Sequence, residues 1–208
     1  MEKRVKGKFI TFEGSEGSGK STQINLIQKY LKKENKEVLF LREPGGVKIS
    51  EKIRRILLDV KNEKMGDECE MLLYMAARAQ LVEEQVLPAL SKGTIVLCDR
   101  FLDSTTAYQG YGNGMDVKFI KQIGQFVTQG IQPDLTIILD LDVKEGFLRL
   151  NRTKDRIEQR TLAYHQRVRK GYLDIAKKEP QRVKVIKADA AKDVIHTKVC
   201  QFVEGILK

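Results

Sequence analysis

Five short runs of Ile, Val, Leu and Phe occur along the chain, and each has the length of a buried strand. The longer segments between them carry apolar residues at helical spacing, so we predict amphipathic helices there. The predicted strands are Phe9–Phe12, Val38–Leu41, Thr94–Leu97, Leu135–Leu141 and Val183–Ile186. The predicted helices are Lys20–Lys33, Ser50–Leu58, Glu68–Leu90, Val117–Gly130, Val143–Asn151, Glu158–Lys178 and Lys192–Leu207.

The alternation of strands and helices predicts the fold class. Right-handed crossovers between successive strands give an α/β fold with a five-stranded parallel sheet and helices on both faces. A chain of 208 residues with 41% hydrophobic content can bury one core, so we expect a single domain over residues 1–208. In such a sheet, ligands bind where the loops leave the carboxyl ends of the strands.

The composition of the chain limits the cellular environment and the kinds of partner that we expect for it. No segment approaches the roughly 18 apolar residues of a membrane span, and no secretory signal is present, so we expect a cytoplasmic protein without a membrane partner. The cysteines Cys69, Cys98 and Cys200 are widely separated and form no CxxC pair, which favours reduced packing residues over disulfides or zinc ligands. The net charge of +10 favours anionic partners, and both nucleic acid and phosphorylated small molecules meet that description.

The segment after the first predicted strand carries the most specific motif. Residues 14–21 read GSEGSGKS, a full match to GxxxxGK followed by Ser or Thr, and they lead into a predicted helix. Glycines let the backbone fold around phosphate oxygens, Lys20 can reach the β- and γ-phosphates, and Ser21 can ligate Mg²⁺. We therefore predict a P-loop that binds ATP with magnesium. Its residues are Gly14, Ser15, Glu16, Gly17, Ser18, Gly19, Lys20, Ser21 and Thr22.

Two further candidates follow the third predicted strand. Asp99 lies where a carboxylate can hold a hydrated metal ion, and Arg100 follows it with a guanidinium suited to phosphate. A simple ion pair between Asp99 and Arg100 is the alternative, because surface pairs of this kind are common. No NKxD motif for guanine recognition is present. An acid beside a base at this strand end points to a second phosphorylated substrate.

Two pairs of residues spaced four apart could recognise a base. Tyr74 and Arg78 share one face of a predicted helix, so a ring could stack on a pyrimidine while a guanidinium donates to a carbonyl oxygen. The alternative is a core tyrosine beside a solvated arginine. Thr105 and Gln109 could hydrogen-bond the base edge, although polar residues after a strand often form caps and turns instead.

Seven short motifs, in order along nearly the whole chain, resemble those of the thymidylate kinases. Any one of these strings could arise by chance, so the match lies in their combination and spacing. The motifs are FEG at 12–14, REPGG at 42–46, AAR at 76–78, DRF at 99–101, AYQG at 107–110, PDLT at 133–136 and DRIE at 155–158. The resemblance implies a P-loop nucleoside monophosphate kinase fold with a short lid, here about residues 151–158.

The resemblance also implies roles in a second nucleotide site. Tyr74 would stack on thymine and Arg78 would donate to its O4. Thr105 and Gln109 would lie near the remaining base edge, while Tyr108 would disfavour a 2′-hydroxyl by its bulk.

Further implied contacts concern the phosphate and the sugar of dTMP. Arg54 and Arg100 would hold the phosphate, and Glu16 would lie near the sugar 3′-hydroxyl. Glu43 would support the sugar or the magnesium waters, although a turn carboxylate can simply pair with Arg42.

The P-loop differs from those of thymidylate kinases that carry an arginine within it. Residues 15–18 contain no arginine, and relatives of this type provide one from the lid instead. The lid candidates are Arg152 and Arg156, with Arg149 just before them. The residues expected to act in phosphoryl transfer are therefore Lys20, Arg100, Arg152 and Arg156.

The activity implied by the resemblance is transfer of a phosphoryl group from Mg-ATP to dTMP, which gives dTDP for dTTP synthesis. A kinase for another nucleoside monophosphate is one alternative. A basic nucleic-acid-binding ATPase is a second, although no nucleic-acid-binding motif is present. The expected partners are dTMP and ATP without a stable nucleic-acid partner, and the resemblance implies a homodimer packed through helices across a two-fold axis.

Overall fold

The computed structural model describes residues 7–208, and a five-stranded parallel sheet lies at their centre. Neighbouring strands are parallel throughout, in the spatial order β2-β3-β1-β4-β5. The predicted α/β fold is therefore confirmed, while residues 1–6 of the expected domain lie outside the described residues. The strands are β1 Phe9–Glu13, β2 Val38–Arg42, β3 Ile95–Asp99, β4 Leu135–Asp140 and β5 Val183–Lys187.

Helices pack on both faces of the sheet. Two π-helical segments, Val82–Val86 and Thr106–Gly112, continue the third and fifth helices, and a 3-10 turn spans Val60–Asn62. The α-helices are α1 Lys20–Lys33, α2 Lys48–Leu58, α3 Asp67–Leu81, α4 Leu87–Lys92, α5 Leu102–Thr105, α6 Val117–Val127, α7 Val143–Leu148, α8 Leu162–Lys178 and α9 Lys192–Leu207.

The predicted helix Glu68–Leu90 is one continuous rod, but it is not a uniform α-helix. It begins one residue earlier, widens into a π-helical turn at Val82–Val86 and ends at Lys92. Pro88 lies at the start of α4 and has no N–H to donate to the preceding turn, which accounts for the interruption. Gly93, with φ of 90°, then ends the rod in the left-handed conformation.

Other predicted helices differ from the observed ones at their ends. Helix α8 begins at Leu162, four residues later than predicted, because the Thr161 hydroxyl caps it by accepting from the Tyr164 N–H at 3.3 Å. Helices α6 and α7 each end three residues earlier than predicted. Residues 149–161, which include the predicted lid, are therefore irregular chain between α7 and α8.

Alternate residues of β1 point to opposite layers of the core. Ile10 and Phe12 pack with Ile24 of α1, whereas Phe9 packs in the layer formed by α3 and α4. Because side chains alternate along a strand, Glu13 falls on the same face as Phe9. The sheet therefore directs a carboxylate toward the side on which α3, α5 and α8 lie.

Within residues 7–208, none of the helices combines the length and the apolarity required to traverse a bilayer. The three cysteines are free thiols. Cys98 lies buried in β3, and burial raises the pKa of its thiol well above the ordinary value.

Candidate active site

The loops at the carboxyl ends of β1, β2 and β3 border a cavity of about 530 Å³. Its size is typical of pockets for small organic ligands, and its position is the one expected for a parallel sheet. The predicted residues on its walls are Glu16, Gly17, Ser18, Gly19, Lys20, Ser21, Thr22, Glu43, Arg54, Tyr74, Arg78, Asp99, Arg100, Thr105, Tyr108, Gln109 and Arg152. Gly14, Ser15 and Arg156 are not on its walls.

The P-loop turns tightly between β1 and α1. Gly17 and Gly19 have φ of 68° and 89°, in the left-handed region that glycine adopts without strain. A Cβ on Gly17 would lie 2.1 Å from the carbonyl oxygen of Gly146, so the loop packs directly against α7. The P-loop therefore contacts the helix that leads to the predicted lid.

Lys20 begins α1, and its side chain folds back over the P-loop. The Nζ atom donates to the carbonyl oxygens of Gly14 and Ser15, each at 2.9 Å. Burial lowers the pKa of Lys20, and the positive charge of Arg100 lowers it further. A bound anion beside Lys20 would stabilise its charged form.

Arg100 connects β3 to the P-loop. Its NH2 atom lies 2.5 Å from Oε1 of Glu16, and its NH1 atom donates to the Gly14 carbonyl oxygen at 3.1 Å. The alternative of an ion pair between Asp99 and Arg100 is therefore wrong. The Tyr108 hydroxyl donates to the same Glu16 oxygen at 2.8 Å, which completes a cluster at the cavity floor.

The pKa values of two carboxyl groups near this arginine, the partly buried Glu16 and the fully buried Glu13, are shifted in opposite directions. Burial acts to raise the pKa of Glu16, but Arg100 and Lys20 overcome it and lower that pKa to about 2. Burial also raises the pKa of Glu13, and the negative charge of Asp103 adds to it, so this pKa reaches about 7. Glu16 is therefore anionic throughout the physiological range, whereas Glu13 retains its proton under mildly acidic conditions.

Glu13, which received no predicted role, lies beneath Arg100. It accepts hydrogen bonds from the Phe101 N–H at 2.7 Å, the Ser104 hydroxyl at 2.5 Å and the Tyr172 hydroxyl at 2.9 Å. Arg100 NH1 contacts the same hydroxyls, at 3.3 Å for Ser104 and 3.1 Å for Tyr172. Glu13 therefore orients Arg100 through two hydroxyl groups from α5 and α8.

Arg78 also lies on the cavity wall, with only 1% of its surface exposed. Its NH2 atom is 2.7 Å from Oε2 of Glu43, and its NH1 atom donates to the Thr105 hydroxyl at 3.0 Å. The alternative of a solvated arginine is therefore wrong. The alternative of a pair between Glu43 and Arg42 is also wrong, because Arg42 binds Glu51 at 2.9 Å instead.

Two carboxylate oxygens on the cavity wall, Oδ1 of Asp99 and Oε1 of Glu43, are buried without a hydrogen-bond partner among the described residues. Burial raises the pKa of Glu43, although Arg78 opposes the shift. The Ser21 side chain lies on the same wall. Oxygen ligands of this kind fit Mg²⁺, which keeps several waters and binds few protein groups together with phosphates. No cluster of three or more His, Cys, Asp or Glu within residues 7–208 could bind a metal alone.

The other predicted substrate contacts also reach the cavity. Tyr74 extends from α3, half-buried. Gln109 is buried, and its Nε2 atom donates to Oε1 of Glu70 at 2.8 Å. Arg54 of α2 donates from NH1 to the Pro44 carbonyl oxygen at 2.8 Å. Thr105 and Gln109 lie on consecutive helical segments, as their spacing predicted.

Two arginines of the irregular segment lie on the cavity wall. The Arg152 side chain is 54% exposed and forms an ion pair with Glu158. Arg149 donates from NH1 to the Ala188 carbonyl oxygen at 3.2 Å. Both arginines line the same cavity as the P-loop.

Arg156, by contrast, is turned away from the cavity. Its NH2 atom lies 2.7 Å from Oε2 of Glu70, and its Nε atom donates to the Leu57 carbonyl oxygen at 2.8 Å. With 7% of its side chain exposed, it is held by α2 and α3. The two predicted lid arginines therefore occupy different environments.

Several residues that shape the site were missed in the sequence. Glu70 could have been found, because it precedes Tyr74 by four residues and so shares the helical face of the predicted base contacts. No spacing indicates Tyr172, which reaches the site from α8. The residues that line the cavity without a predicted role in it are Arg42, Pro44, Leu58, Ser104, Leu150, Asp155, Ile157 and Glu158.

A P-loop and a wall of buried arginine and aromatic side chains thus share one cavity at the carboxyl edge of a parallel sheet. This combination defines a P-loop kinase that brings a nucleoside triphosphate to a second, phosphorylated substrate.

Comparisons with known proteins identify the family. A family model described as thymidylate kinase matches residues 12–199. A thymidylate kinase of Pelotomaculum thermopropionicum is 45% identical over 206 residues, covering 98% of this chain and 95% of that one. One of Halothermothrix orenii is 46% identical over 208 residues, covering 98% and 99%. The crystal structure of thymidylate kinase from Ehrlichia chaffeensis has a TM-score of 0.78 and 36% identity, covering 95% of this chain and 98% of that one.

The chain belongs to the thymidylate kinase family, which confirms the resemblance drawn from its motifs. It is accordingly a nucleotide-binding kinase that phosphorylates thymidylate in nucleotide synthesis. The alternative of a nucleic-acid-binding ATPase is not favoured by these findings.

Proposed function

We propose that this chain transfers the γ-phosphoryl group of Mg-ATP to dTMP, and that opposite walls of its cavity bind the two nucleotides. The observation that carries this proposal is that Arg100 pairs with the P-loop carboxylate Glu16 and lines the same cavity as the buried Arg78. A cation between a triphosphate site and a base site is suited to hold the phosphate that accepts the transferred group.

The P-loop wall binds ATP. Its main-chain N–H groups and the start of α1 provide positive potential for phosphate oxygens, and Lys20 adds a charged donor. Ser21 and Asp99 would hold Mg²⁺, with Glu43 ordering its waters, because buried oxygens of both carboxylates have no other partner within residues 7–208. When bound there, the metal ion would supply positive charge that offsets the charge of the transition state.

The opposite wall binds dTMP. The Tyr74 ring stacks on thymine, Arg78 donates to the O4 carbonyl oxygen, and Thr105 and Gln109 lie along the base edge. Arg78 is held in place by Glu43 on one side and the Thr105 hydroxyl on the other, so its guanidinium is oriented before the base arrives.

The sugar and phosphate of dTMP lie between the walls. Tyr108 occupies space near the ribose, with its hydroxyl fixed on Glu16 at 2.8 Å, and its rigid ring excludes a 2′-hydroxyl. Glu16, kept anionic by its cationic neighbours, accepts from the 3′-hydroxyl. Arg54 and Arg100 hold the phosphate in line with the γ-phosphoryl group.

Phosphoryl transfer needs charge neutralisation rather than a nucleophilic side chain, because charge spreads over the equatorial oxygens in the transition state. Lys20 and Arg100 provide part of the neutralising positive charge beside the P-loop. Residues 151–158 act as a lid. Arg152 of this lid provides the remaining positive charge, since it lies on the cavity wall and is partly exposed. Arg156 anchors the lid instead, because its guanidinium is bound at Glu70. Closure also excludes water and so limits ATP hydrolysis.

A coupled ADP-release assay with a panel of monophosphates tests this function. We expect dTMP to give the highest kcat/KM, ahead of dUMP and dGMP. A higher kcat/KM for another monophosphate would identify a different nucleotide kinase. ATP hydrolysis that rises with oligonucleotide rather than monophosphate would contradict the kinase assignment.

The chain acts as a cytoplasmic homodimer. Three neighbouring helices carry exposed apolar side chains that a partner subunit would cover: Ile56 of α2 is 47% exposed, Leu72 of α3 is 52% exposed and Phe126 of α6 is 83% exposed. Sedimentation at assay concentration should therefore give a dimer. A stable monomer would contradict this arrangement.

A further inference from the structure

Glu70 is a fully buried carboxylate, with 0% of its surface exposed. It lies on α3 one turn before Tyr74 and two turns before Arg78, so the three side chains share one face of the helix. Nothing in the proposed transfer uses Glu70. A buried charge that has no catalytic task still needs partners, and those partners come from the lid and from the base site.

One oxygen of Glu70 binds the lid and its junction with α8. Oε2 lies 2.7 Å from NH2 of Arg156 and 3.0 Å from NH2 of Arg160. Arg156 is also tied to the end of α2 through the Leu57 carbonyl oxygen. Arg156 of the lid and Arg160 at its junction with α8 therefore both contact one carboxylate of the base-binding helix, and Arg160 also lies 3.4 Å from Oδ1 of Asp67.

The other oxygen of Glu70 faces the base site. Oε1 accepts from Nε2 of Gln109 at 2.8 Å and from Nδ2 of Asn113 at 3.4 Å. Asn113 in turn accepts from NH1 of Arg160 at 2.8 Å, which closes a ring of three contacts among Glu70, Asn113 and Arg160. Gln109 of the base edge, Arg156 of the lid and Arg160 are thus all in contact with the single side chain of Glu70.

Opening of the lid together with its junction to α8 would withdraw Arg156 and Arg160 from Glu70. The carboxylate would then remain buried against α3 with only amide donors, which is unfavourable because a buried charge without a counter-ion is costly. The carboxylate would have to move toward other partners, and that movement would alter the acceptor that holds Gln109. The position of the lid and the orientation of the base edge therefore depend on each other.

We propose that Glu70 is a positioning residue that couples closure of the lid over ATP to binding of the dTMP base. This inference rests on the proposed function of the cavity. Coupling between two ligands is reciprocal, so ATP should tighten dTMP and dTMP should tighten ATP by the same factor. Couplings of this kind typically reach about 5- to 150-fold.

The test measures dTMP binding by calorimetry with and without a non-hydrolysable ATP analogue and Mg²⁺. In the wild-type chain we expect the analogue to lower the Kd for dTMP by about fivefold or more. In Glu70→Gln, which preserves side-chain shape and removes the charge, the factor should fall to roughly twofold or less. The matched control is Glu68→Gln, the same substitution on the same helix at an exposed carboxylate that forms no ion pair within residues 7–208. It should keep the wild-type factor.

Arg160→Gln provides a second variant with less risk to folding, because its side chain is 27% exposed. It removes one of the two guanidinium groups and should also reduce the coupling factor. A merely structural Glu70 would lower thermal stability and leave the coupling factor unchanged in both variants, and that result would overturn the inference. An absent coupling in the wild-type chain would overturn it as well. A wild-type chain that binds the ATP analogue but not dTMP would contradict the proposed function, and the inference would fall with it.

Discussion

The two walls of the cavity are built in different ways. The P-loop wall consists of consecutive residues, and most of its phosphate-binding groups belong to the main chain. The base wall consists of side chains from α3, α5, the loop after β2 and the π-helical segment after α5. One wall is encoded by a contiguous motif, whereas the other exists only after distant elements have packed.

The walls also differ in how their charges are supported. Lys20 is held by main-chain carbonyl oxygens, whereas Arg78 is held by the buried carboxylate Glu43. Removing one partner of a buried pair commonly costs about 3–5 kcal/mol, because the other charge stays buried. Substitutions in the base wall should therefore affect both binding and folding, whereas those in the P-loop wall should affect chemistry with little loss of stability.

Lys20→Ala should have the largest effect and should abolish transfer, with kcat lowered by on the order of 10³ or more, as for other preorganised charge-stabilising donors. The fold should persist, because the Nζ atom contacts only carbonyl oxygens of the same loop. Steady-state turnover and circular dichroism check this together. Turnover near the wild-type level would show that Lys20 has no role at the phosphates.

Arg152→Ala should be next, with the single-turnover rate lowered by about 10³-fold, at the lower end of known arginine-finger effects. Binding of ATP to the open enzyme should change little. The matched control is Lys154→Ala, because Lys154 is an exposed cation of the same segment that does not line the cavity. Equal single-turnover rates for these two variants would show that Arg152 is not the catalytic cation.

Arg78 must be substituted together with its partner Glu43, because Arg78→Ala alone would leave Glu43 buried and unpaired. The double variant Arg78→Met/Glu43→Gln keeps the pocket neutral. We expect kcat/KM for dTMP to fall by about 10- to 150-fold, the typical value of hydrogen bonds to a charged donor, while the Kd for ATP without Mg²⁺ stays within about twofold. A matching loss of ATP affinity would show that this wall is structural for both nucleotides.

Tyr108 should give the smallest effect, a change in preference rather than in overall rate. Tyr108→Ala should narrow the kcat/KM ratio between dTMP and its ribose counterpart by about tenfold, since pocket shape typically contributes 1–3 kcal/mol to discrimination. Tyr108→Phe keeps the ring and loses only the contact with Glu16, so it should retain the ratio. An unchanged kcat/KM ratio in both variants would show that the bulk of the Tyr108 ring does not determine the preference for deoxyribose.

Much of the fold could be predicted because its signals are local. Each strand is a short apolar run, and the P-loop motif falls between one such run and an amphipathic helix. The helix ends were less predictable, because caps decide them. Thr161 moves the start of α8, and Pro88 interrupts the rod formed by α3 and α4.

The ion pairs of the site could not be predicted from adjacency in sequence. Glu43 follows Arg42 directly but pairs with Arg78, and Arg100 follows Asp99 but pairs with Glu16. Side chains on consecutive residues of a strand point in opposite directions, and Arg100 has left β3 with φ of 72°, so these sequence neighbours are poor candidates for partners. Only the packing of β1, β3 and α3 brings the true partners together.

The separation of the two nucleotide sites is tested most directly by titrating ATP and dTMP separately into Lys20→Ala and the Arg78→Met/Glu43→Gln double variant. Calorimetry without Mg²⁺ isolates each binding event from turnover. We predict a crossed result: the Lys20 variant loses affinity for ATP and keeps it for dTMP, while the double variant does the reverse. If both variants lose affinity for both nucleotides to the same extent, the cavity does not contain two separate binding walls.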